Sequence, residues 1–378
     1  MKRLFSLILL TVLLCGCAEN SSQPAYAPAV LPELTQNRAP GFDPDIVMDT
    51  MSPEQLVGQL FLARCPSDET ALTDLARYHL GGYILFGRDF EEQSPITIKT
   101  TISSYQSTSN IPLLIAVDEE GGTVTRVSSQ PLLRDEKFPS PRQLYANGGL
   151  NLLIQTETEK CHLLANLGIN VNMAPVCDIS TDPKAFMYDR SLGLEPNQTG
   201  SCIAAIVDTM SDLQIGSVLK HFPGYGNNAD THNAIAVDNR TLSTLVQVDL
   251  VPFRAGIEAG CDAILISHTV VTCLDEKMPA SLSAPVIAYL REELGFTGVV
   301  VTDDLSMGAI TRQYGAEEAA VLAILAGNDL LCSSDYGIQY QAVLSAVQDG
   351  RIPMERIRHA VSRVLRWKYA LGLLPANT

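Results

Sequence analysis

From about residue 50 onward, short apolar runs rich in β-branched residues alternate with helical stretches, and this alternation limits the fold more than any other feature. Eight runs qualify as strands: 59–64, 82–86, 113–117, 171–176, 217–220, 263–267, 298–302 and 329–332. Helical spacing marks 152–167, 198–213, 243–259, 284–293 and 316–325 between them. A strand that is apolar along its whole length is buried on both faces, which is the condition of a parallel sheet covered by helices. Eight such units predict an α/β fold, a single TIM-like (β/α)8 barrel that is irregular in its first units. An open doubly wound sheet is the alternative. Residues 46–378 exceed the ~250 that such a barrel needs, and no linker inside them marks a second domain.

The chain closes on a predicted helix, 353–371, with Ile357, Ala360, Val361, Val364 and Leu365 on one face. Pro353 suits its first turn, and Trp367 falls at a packing position. At the other end, Lys2 and Arg3 precede an apolar run, 4–14, that is too short to span a bilayer. Leu14-Cys15-Gly16-Cys17 follows. Residues 1–17 therefore resemble a lipoprotein signal with cleavage before Cys17 and lipidation of its thiol. The chain is then expected to be exported and membrane-anchored without spanning the membrane. Residues 18–45, rich in Ser, Pro, Ala, Asn and Gln, read as a flexible tether.

The formal net charge of −16 repels polyphosphate, so no nucleic-acid partner is expected. Beyond Cys17 lie Cys65, Cys161, Cys177, Cys202, Cys261, Cys273 and Cys332, with no Cys-x-x-Cys pair. Their apolar neighbours make them small buried hydrophobes, neither a zinc site nor a disulfide framework.

Polar residues gather just after several strands, where barrel enzymes build their sites. Asp118-Glu119-Glu120-Gly121-Gly122 ends one strand and leads to Arg126; a solvated turn is the other reading. Asp189-Arg190 alone would be a structural ion pair. Lys220-His221-Phe222-Pro223-Gly224 ends a second strand, and its loop continues to Asp230-Thr231-His232. An Asp two residues before a His can orient the ring and support proton transfer near neutral pH. Thr302-Asp303-Asp304 ends a third strand, where adjacent side chains point to opposite sides, so only one aspartate faces the barrel axis. That one can be a nucleophile. A metal shared by Asp303, Asp304 and His268 is the weakest reading, because hard cations need more oxygen ligands than this stretch offers.

These stretches, together with Pro279-Ala280-Ser281-Leu282-Ser283 and Asp304-Leu305-Ser306-Met307, resemble glycoside hydrolase family 3, in particular its compact bacterial β-N-acetylglucosaminidases. The resemblance runs from about residue 50 to 372. It implies Asp303 as catalytic nucleophile, His232 as general acid/base and Asp230 as its orienting partner. It also implies Asp118, Arg126, Arg190, Lys220 and His221 as holders of the sugar hydroxyls. It implies a retaining exo-hydrolase of terminal β-linked N-acetylglucosamine, with a glycan substrate and no cofactor or metal. A monomer is expected. The alternatives are a β-glucosidase or β-xylosidase of the same family, and a sugar-binding lipoprotein without turnover. Tyr225 and Asn227-Asn228 depart from the family's usual His and Asp-Thr. The lipid-anchor motif departs from cytoplasmic members and points to cell-wall or chitin-type fragments.

Overall fold

The computed structural model describes residues 41–66, 70–226 and 235–377. Cys17 and the rest of the segment before residue 41 lie outside them. All eight expected strands form: β1 Phe61–Arg64, β2 Gly82–Leu85, β3 Leu114–Val117, β4 Val171–Asn172, β5 Gly216–Phe222, β6 Ala263–Ile266, β7 Val299–Thr302 and β8 Leu331–Ser333. Every pair is parallel, in sequential order, with β8 returning to β1 through Phe61↔Leu331. The last seam, β7 to β8, is a narrow one: Val301 bridges Leu330, and Thr302 N donates to Leu330 O at 3.0 Å. The barrel is thus nearly closed, and the open-sheet alternative falls away.

The first three strands pair in regular register, and the irregularity lies at β4 to β6. β4 ends early because Pro175 has no N–H for the ladder. β5 still follows the chain beyond it, with Val218 N donating to Ala174 O at 2.8 Å and Cys177 N to Lys220 O at 2.7 Å. The β5–β6 register shifts between Leu219 and Phe222, where the polar end of β5 enters the mouth. Two helices differ from expectation. The stretch 243–259 is broken into Leu242–Gln247 and Leu250–Glu258, because Asp249 between them is buried and taken by Arg240. The helix expected at 152–167 begins at Pro141 and kinks at Gly149, whose φ of 60° lies in the left-handed region.

Alternation along the strands separates two cores. Leu62, Ile84, Leu114, Met173, Val218 and Leu265 face the barrel interior. Their sequence neighbours, such as Phe61, Ile115 and Leu219, face the surrounding helices. The C-terminal helix, Met354–Ala370, covers the closed end of the barrel, with Val364 and Trp367 joining the inner core. Trp367 packs, as its spacing predicted, and Pro353 caps that helix from just outside its first turn. Gly216 heads β5 for a steric reason: a Cβ there would stand 2.9 Å from the Trp367 ring. None of the seven cysteines from Cys65 on forms a disulfide; six are buried and Cys273 is half-buried. Burial pushes the thiols of Cys177, Cys261 and Cys332 well up, which makes them inert.

Lys368, one residue past Trp367, is wholly buried and donates to Gln59 Oε1 at 2.7 Å. Burial lowers its pKa to about 7. Between pH 7 and the unfolded value near 10.4 the unfolded chain therefore binds the extra proton, so this group's contribution to stability rises with pH across that window. Lys368→Met should remove that dependence and raise stability at pH 7 by on the order of 1–2 kcal/mol, net of the bond lost at Gln59. Urea denaturation at pH 7 and pH 10 checks it; a variant less stable than wild type at pH 7 would count against it.

Candidate active site

Three consecutive carboxylates follow β3, and the strand's alternation divides their work. Asp118 and Glu120 face the barrel mouth, where Lys220 Nζ meets each of them at 2.6 Å. Glu119 turns the other way and is fully buried. Its Oε2 accepts from Arg126 N at 2.8 Å and Val127 N at 2.7 Å, and Ser128 Oγ donates to its Oε1. Glu119 thus folds the 124–128 segment back over the mouth. Gly121 makes the turn possible: its φ is 101°, and a Cβ there would stand 2.4 Å from Pro139 O.

Glu120 is the hub of the mouth. Arg190 grips it in a two-pronged bond, Nε at 2.9 Å and Nη2 at 2.7 Å. Burial works to raise its pKa, but the Lys220 and Arg190 charges outweigh burial and hold the carboxyl well below the usual range. Lys220 keeps its proton for the reciprocal reason: burial opposes the charge, and Asp118 and Glu120 overcome it. Arg190 does not pair with its neighbour Asp189, which is exposed; its ion pair is with Glu120, seventy residues away. Below the hub, the buried Lys160 pairs with Glu157 at 2.7 Å and donates to the Glu120 carbonyl at 3.4 Å.

His221 stands beside Arg190 and is set by Asp178, a residue that follows β4. Asp178 Oδ2 faces His221 Nδ1 at 2.8 Å, and the same carboxylate accepts from the backbone N–H groups of His221 and Tyr225. Its Nε2 lies 3.3 Å from Arg190 Nη2.

Asp303 completes the group from the end of β7. Burial works to raise its pKa; His268, His221, the Asp304 N–H and Lys220 together outweigh burial and lower it. Its neighbour Asp304 points elsewhere, accepting from Ser306 N at 2.9 Å and from Ser334 Oγ at 2.6 Å. His268 is engaged at both ring nitrogens: Nε2 donates to Asp304 O at 3.0 Å, and Nδ1 lies 2.7 Å from Ser281 Oγ. Asp303, Asp304 and His268 do not form a group able to hold a cation. Among the described residues no His, Cys, Asp and Glu cluster has the makings of a metal site.

Arg126 sits at the rim, not in this network. Its guanidinium lies 5.8 Å from the Phe86 ring, which Arg64 at the end of β1 also covers at 4.5 Å. Asp230 and His232 lie outside the described residues. The chain on either side of them is tied together by Arg240, which bonds Asp249 at 2.7 Å, Asp238 at 2.6 Å and the Gly224 carbonyl at 3.4 Å. A cleft of about 500 Å³, lined by Gln55, Gln59, His79 and Asn110, opens at the opposite, N-terminal end of the strands, and no carboxylate lines it. The carboxylates and cations gather at the other end, at the mouth.

The family model described as the glycosyl hydrolase family 3 N-terminal domain matches residues 53–367. The chain belongs to this family. Beta-hexosaminidase LpqI of Mycobacterium tuberculosis is 30% identical over 331 residues, 84% of this chain and 83% of that protein. A beta-hexosaminidase of Tolumonas auensis is 33% identical over 293 residues, 75% of this chain and 84% of that one. Among solved structures, a family 3 beta-N-acetylglucosaminidase from Paenibacillus superposes with a TM-score of 0.81 at 34% identity. That match covers 87% of this chain, which spans only 64% of the Paenibacillus chain. The M tuberculosis LpqI structure gives 0.78 at 28% identity, covering 86% of this chain and 96% of that one. The family 3 fold thus agrees with the barrel, and the site just described occupies the mouth that barrel enzymes use.

Proposed function

We propose that this family 3 glycoside hydrolase is a retaining, exo-acting β-N-acetylglucosaminidase. The observation that carries the reading is the buried polar floor, Asp118–Lys220–Glu120–Arg190–His221, which gathers around the ionised Asp303. Fixed charges and donors of this kind suit the hydroxyls of one terminal sugar and hold its anomeric carbon against the nucleophile. The beta-hexosaminidase and beta-N-acetylglucosaminidase relatives support the choice of sugar.

The steps follow double displacement. Asp303 attacks the anomeric carbon as the glycosidic C–O bond breaks, and His232 gives its proton to the leaving oxygen. The product is a glycosyl ester on Asp303. Water then attacks the same carbon, His232 takes a proton from it, and Asp303 leaves as carboxylate. An imidazole thus replaces the second carboxyl of the usual retaining pair. Asp230 orients the ring and stabilises its charged form, while Arg126 closes the rim.

Cys17 is assigned as the lipidated residue, and the enzyme as an exported, membrane-anchored monomer. The described fold begins on the side opposite the site: Phe42 stacks on Tyr369 of the C-terminal helix at 4.7 Å, and Asp43 N donates to Asn377 Oδ1 at 2.7 Å. The tether thus joins the fold away from the mouth. Cell-wall or chitin-type fragments are the substrates such a placement serves. Among the described residues no helix is long and apolar enough to cross a membrane.

Hydrolysis of 4-nitrophenyl β-N-acetylglucosaminide beside the β-glucoside and β-xyloside tests the sugar. Cleavage of the amino sugar alone supports the reading; preference for the glucoside or xyloside rejects the substrate. Binding without turnover of any of them makes the chain a sugar-binding protein. His232→Ala should slow alkyl glycosides by roughly 10²–10⁴-fold and nitrophenyl glycosides far less in the glycosylation step, since nitrophenolate leaves without a proton. Equal losses on both in single-turnover measurements would remove His232 from the acid role.

A further inference from the structure

A tilted eight-stranded barrel fills its interior in layers of four side chains, each layer drawn from alternate strands. The register identifies the layer at the mouth. Ala116 pairs with Val171 and Val171 with Gly216, so Lys220 stands two residues beyond the β5 position level with Asp118. Val218 pairs with Ala263 and Ala263 with Val299, which places Asp303 two residues further again. The same step taken back from Asp118, through Val117↔Leu85 and Ile84↔Arg64, ends on Arg64 in β1. Alternation agrees, because Leu62, Ala116, Val218 and Val301, each two residues earlier, all line the inner core. Asp118, Lys220 and Asp303 thus share one layer from β3, β5 and β7, and Arg64 is its fourth member.

Arg64 is half-buried, and its guanidinium lies 4.5 Å from the centre of the Phe86 ring, which itself packs on the inner core. Stacking on an aromatic ring holds the plane of a guanidinium and leaves its N–H edge to bond. Here that edge is underused. Nε is buried without an acceptor. The carboxylate whose charge reaches Arg64, Asp89, pairs with Arg88 at 3.6 Å and accepts from Phe86 N at 2.7 Å. Lys220 and Arg190 each hold a carboxylate of the floor; Arg64 forms no ion pair among the described residues. A buried donor left unmatched is costly, and at the mouth of a sugar site the ligand can supply the missing acceptor.

The barrel's symmetry says which end of the sugar that is. β1 and β5 lie four strands apart in a ring of eight, on opposite walls. His232 follows β5 in the chain, so the mechanism proposed above sets the leaving oxygen toward that wall. C4 stands across a pyranose ring from C1, with C6 beside it, and both therefore turn toward β1.

We propose that Arg64 is a substrate-binding residue that donates to the C4 or C6 oxygen of the terminal sugar and so reads the free chain end. The inference rests on the double displacement for the sugar's orientation and not on the choice of the amino sugar.

The test is a cycle of two enzymes, wild type and Arg64→Met, on 4-nitrophenyl β-N-acetylglucosaminide and its 4-deoxy and 6-deoxy analogues. Methionine keeps the length of the side chain and its contact with Phe86 while removing the charge. Wild type should lose roughly ten- to a hundredfold in kcat/KM on one of the two analogues, the range of a hydrogen bond to a charged donor. Arg64→Met should lose as much on the parent and then treat that analogue like the parent within about twofold. A wild type that cleaves both analogues like the parent overturns the proposal without any variant. So does an Arg64→Met enzyme as active as wild type on the parent, or one that still pays the full deoxy penalty, which would make the arginine a structural prop. Preference of the wild type for the β-glucoside rejects the amino sugar alone, and the same cycle on the 4-deoxy and 6-deoxy glucosides then decides Arg64. No turnover of either parent overturns the activity and this inference with it.

Discussion

Asp303→Ala is expected to lower kcat by roughly four to six orders of magnitude, the scale seen when the nucleophile of a concerted unit is removed. The fold should survive, since the backbone N–H of Asp303 bonds Ile266 O at 3.0 Å whatever the side chain, and the Asp304 side chain keeps its partners although its N–H loses Asp303 Oδ1. Loss of activity alone would not separate a nucleophile from a residue that merely shapes the site. Azide does separate them. A small anion can enter the space left by the carboxylate, attack the anomeric carbon and yield the glycosyl azide of inverted configuration. Rescue by azide with an activated nitrophenyl substrate therefore identifies the displaced atom. Retention of more than about one per cent of kcat without azide would exclude the role. The pH profile gives an independent reading. Burial alone would raise the Asp303 pKa, but His268, His221 and Lys220 lower it on balance, so the carboxylate stays ionised to a pH below the ordinary aspartate range. The acidic limb of kcat/KM assigned to this group should accordingly fall below that range.

The barrel was legible because its strands are buried on both faces, and burial writes itself as unbroken apolar runs. Val299–Thr302 is a clear case, four buried residues in a row before the aspartates. The division between Asp303 and Asp304 was legible too, because it needs only the two-residue period of a strand. The same period separates Asp118 and Glu120 from Glu119, and the sequence contained that signal although no role was attached to Glu120. Other features were out of reach for a physical reason. Asp178 is adjacent in space to His221 and forty-three residues from it in the chain. Arg190 has Asp189 beside it as a ready but wrong partner, and it reaches Glu120 only because the loop after β4 folds over the end of β3. Arg240 looks like any surface cation until Asp249 is seen buried against it. Burial pushes the pKa of Asp249 up to about 6 in spite of Arg240, and that buried pair also breaks the helix that periodicity runs through. Local pattern gives the elements and the strand-end residues; pairing across the mouth depends on closure of the barrel.

Glu120→Gln should cost both stability and catalysis, and the reason lies in charge balance. In the wild type two carboxylates, Asp118 and Glu120, meet two cations, Lys220 and Arg190, within one buried cluster. The amide keeps the shape but removes one negative charge, and its NH2 faces a cation that needs an acceptor. Breaking one partner of a buried pair typically costs about 3–5 kcal/mol, because the remaining charge is left uncompensated. Urea denaturation should show a loss of that order at pH 7. In kinetics, Arg190 loses its two-pronged anchor, and its contact to His221 Nε2 loses its fixed geometry. The floor then holds the sugar less well in both ground and transition states, so KM should rise while kcat falls by a smaller factor. An overall loss of roughly 10²–10³ in kcat/KM matches the cost of misplacing the reacting carbon by about 1 Å. Glu119→Gln is the contrasting variant. Glu119 holds the 124–128 segment and touches none of the four charged groups of the cluster, so its loss should act on stability and on Arg126 at the rim. If both variants lose kcat/KM alike, Glu120 is only another prop of the same turn. If Glu120→Gln alone loses it, with the monosaccharide inhibition constant raised in step, the buried carboxylate is what fixes Lys220 and Arg190 around the sugar.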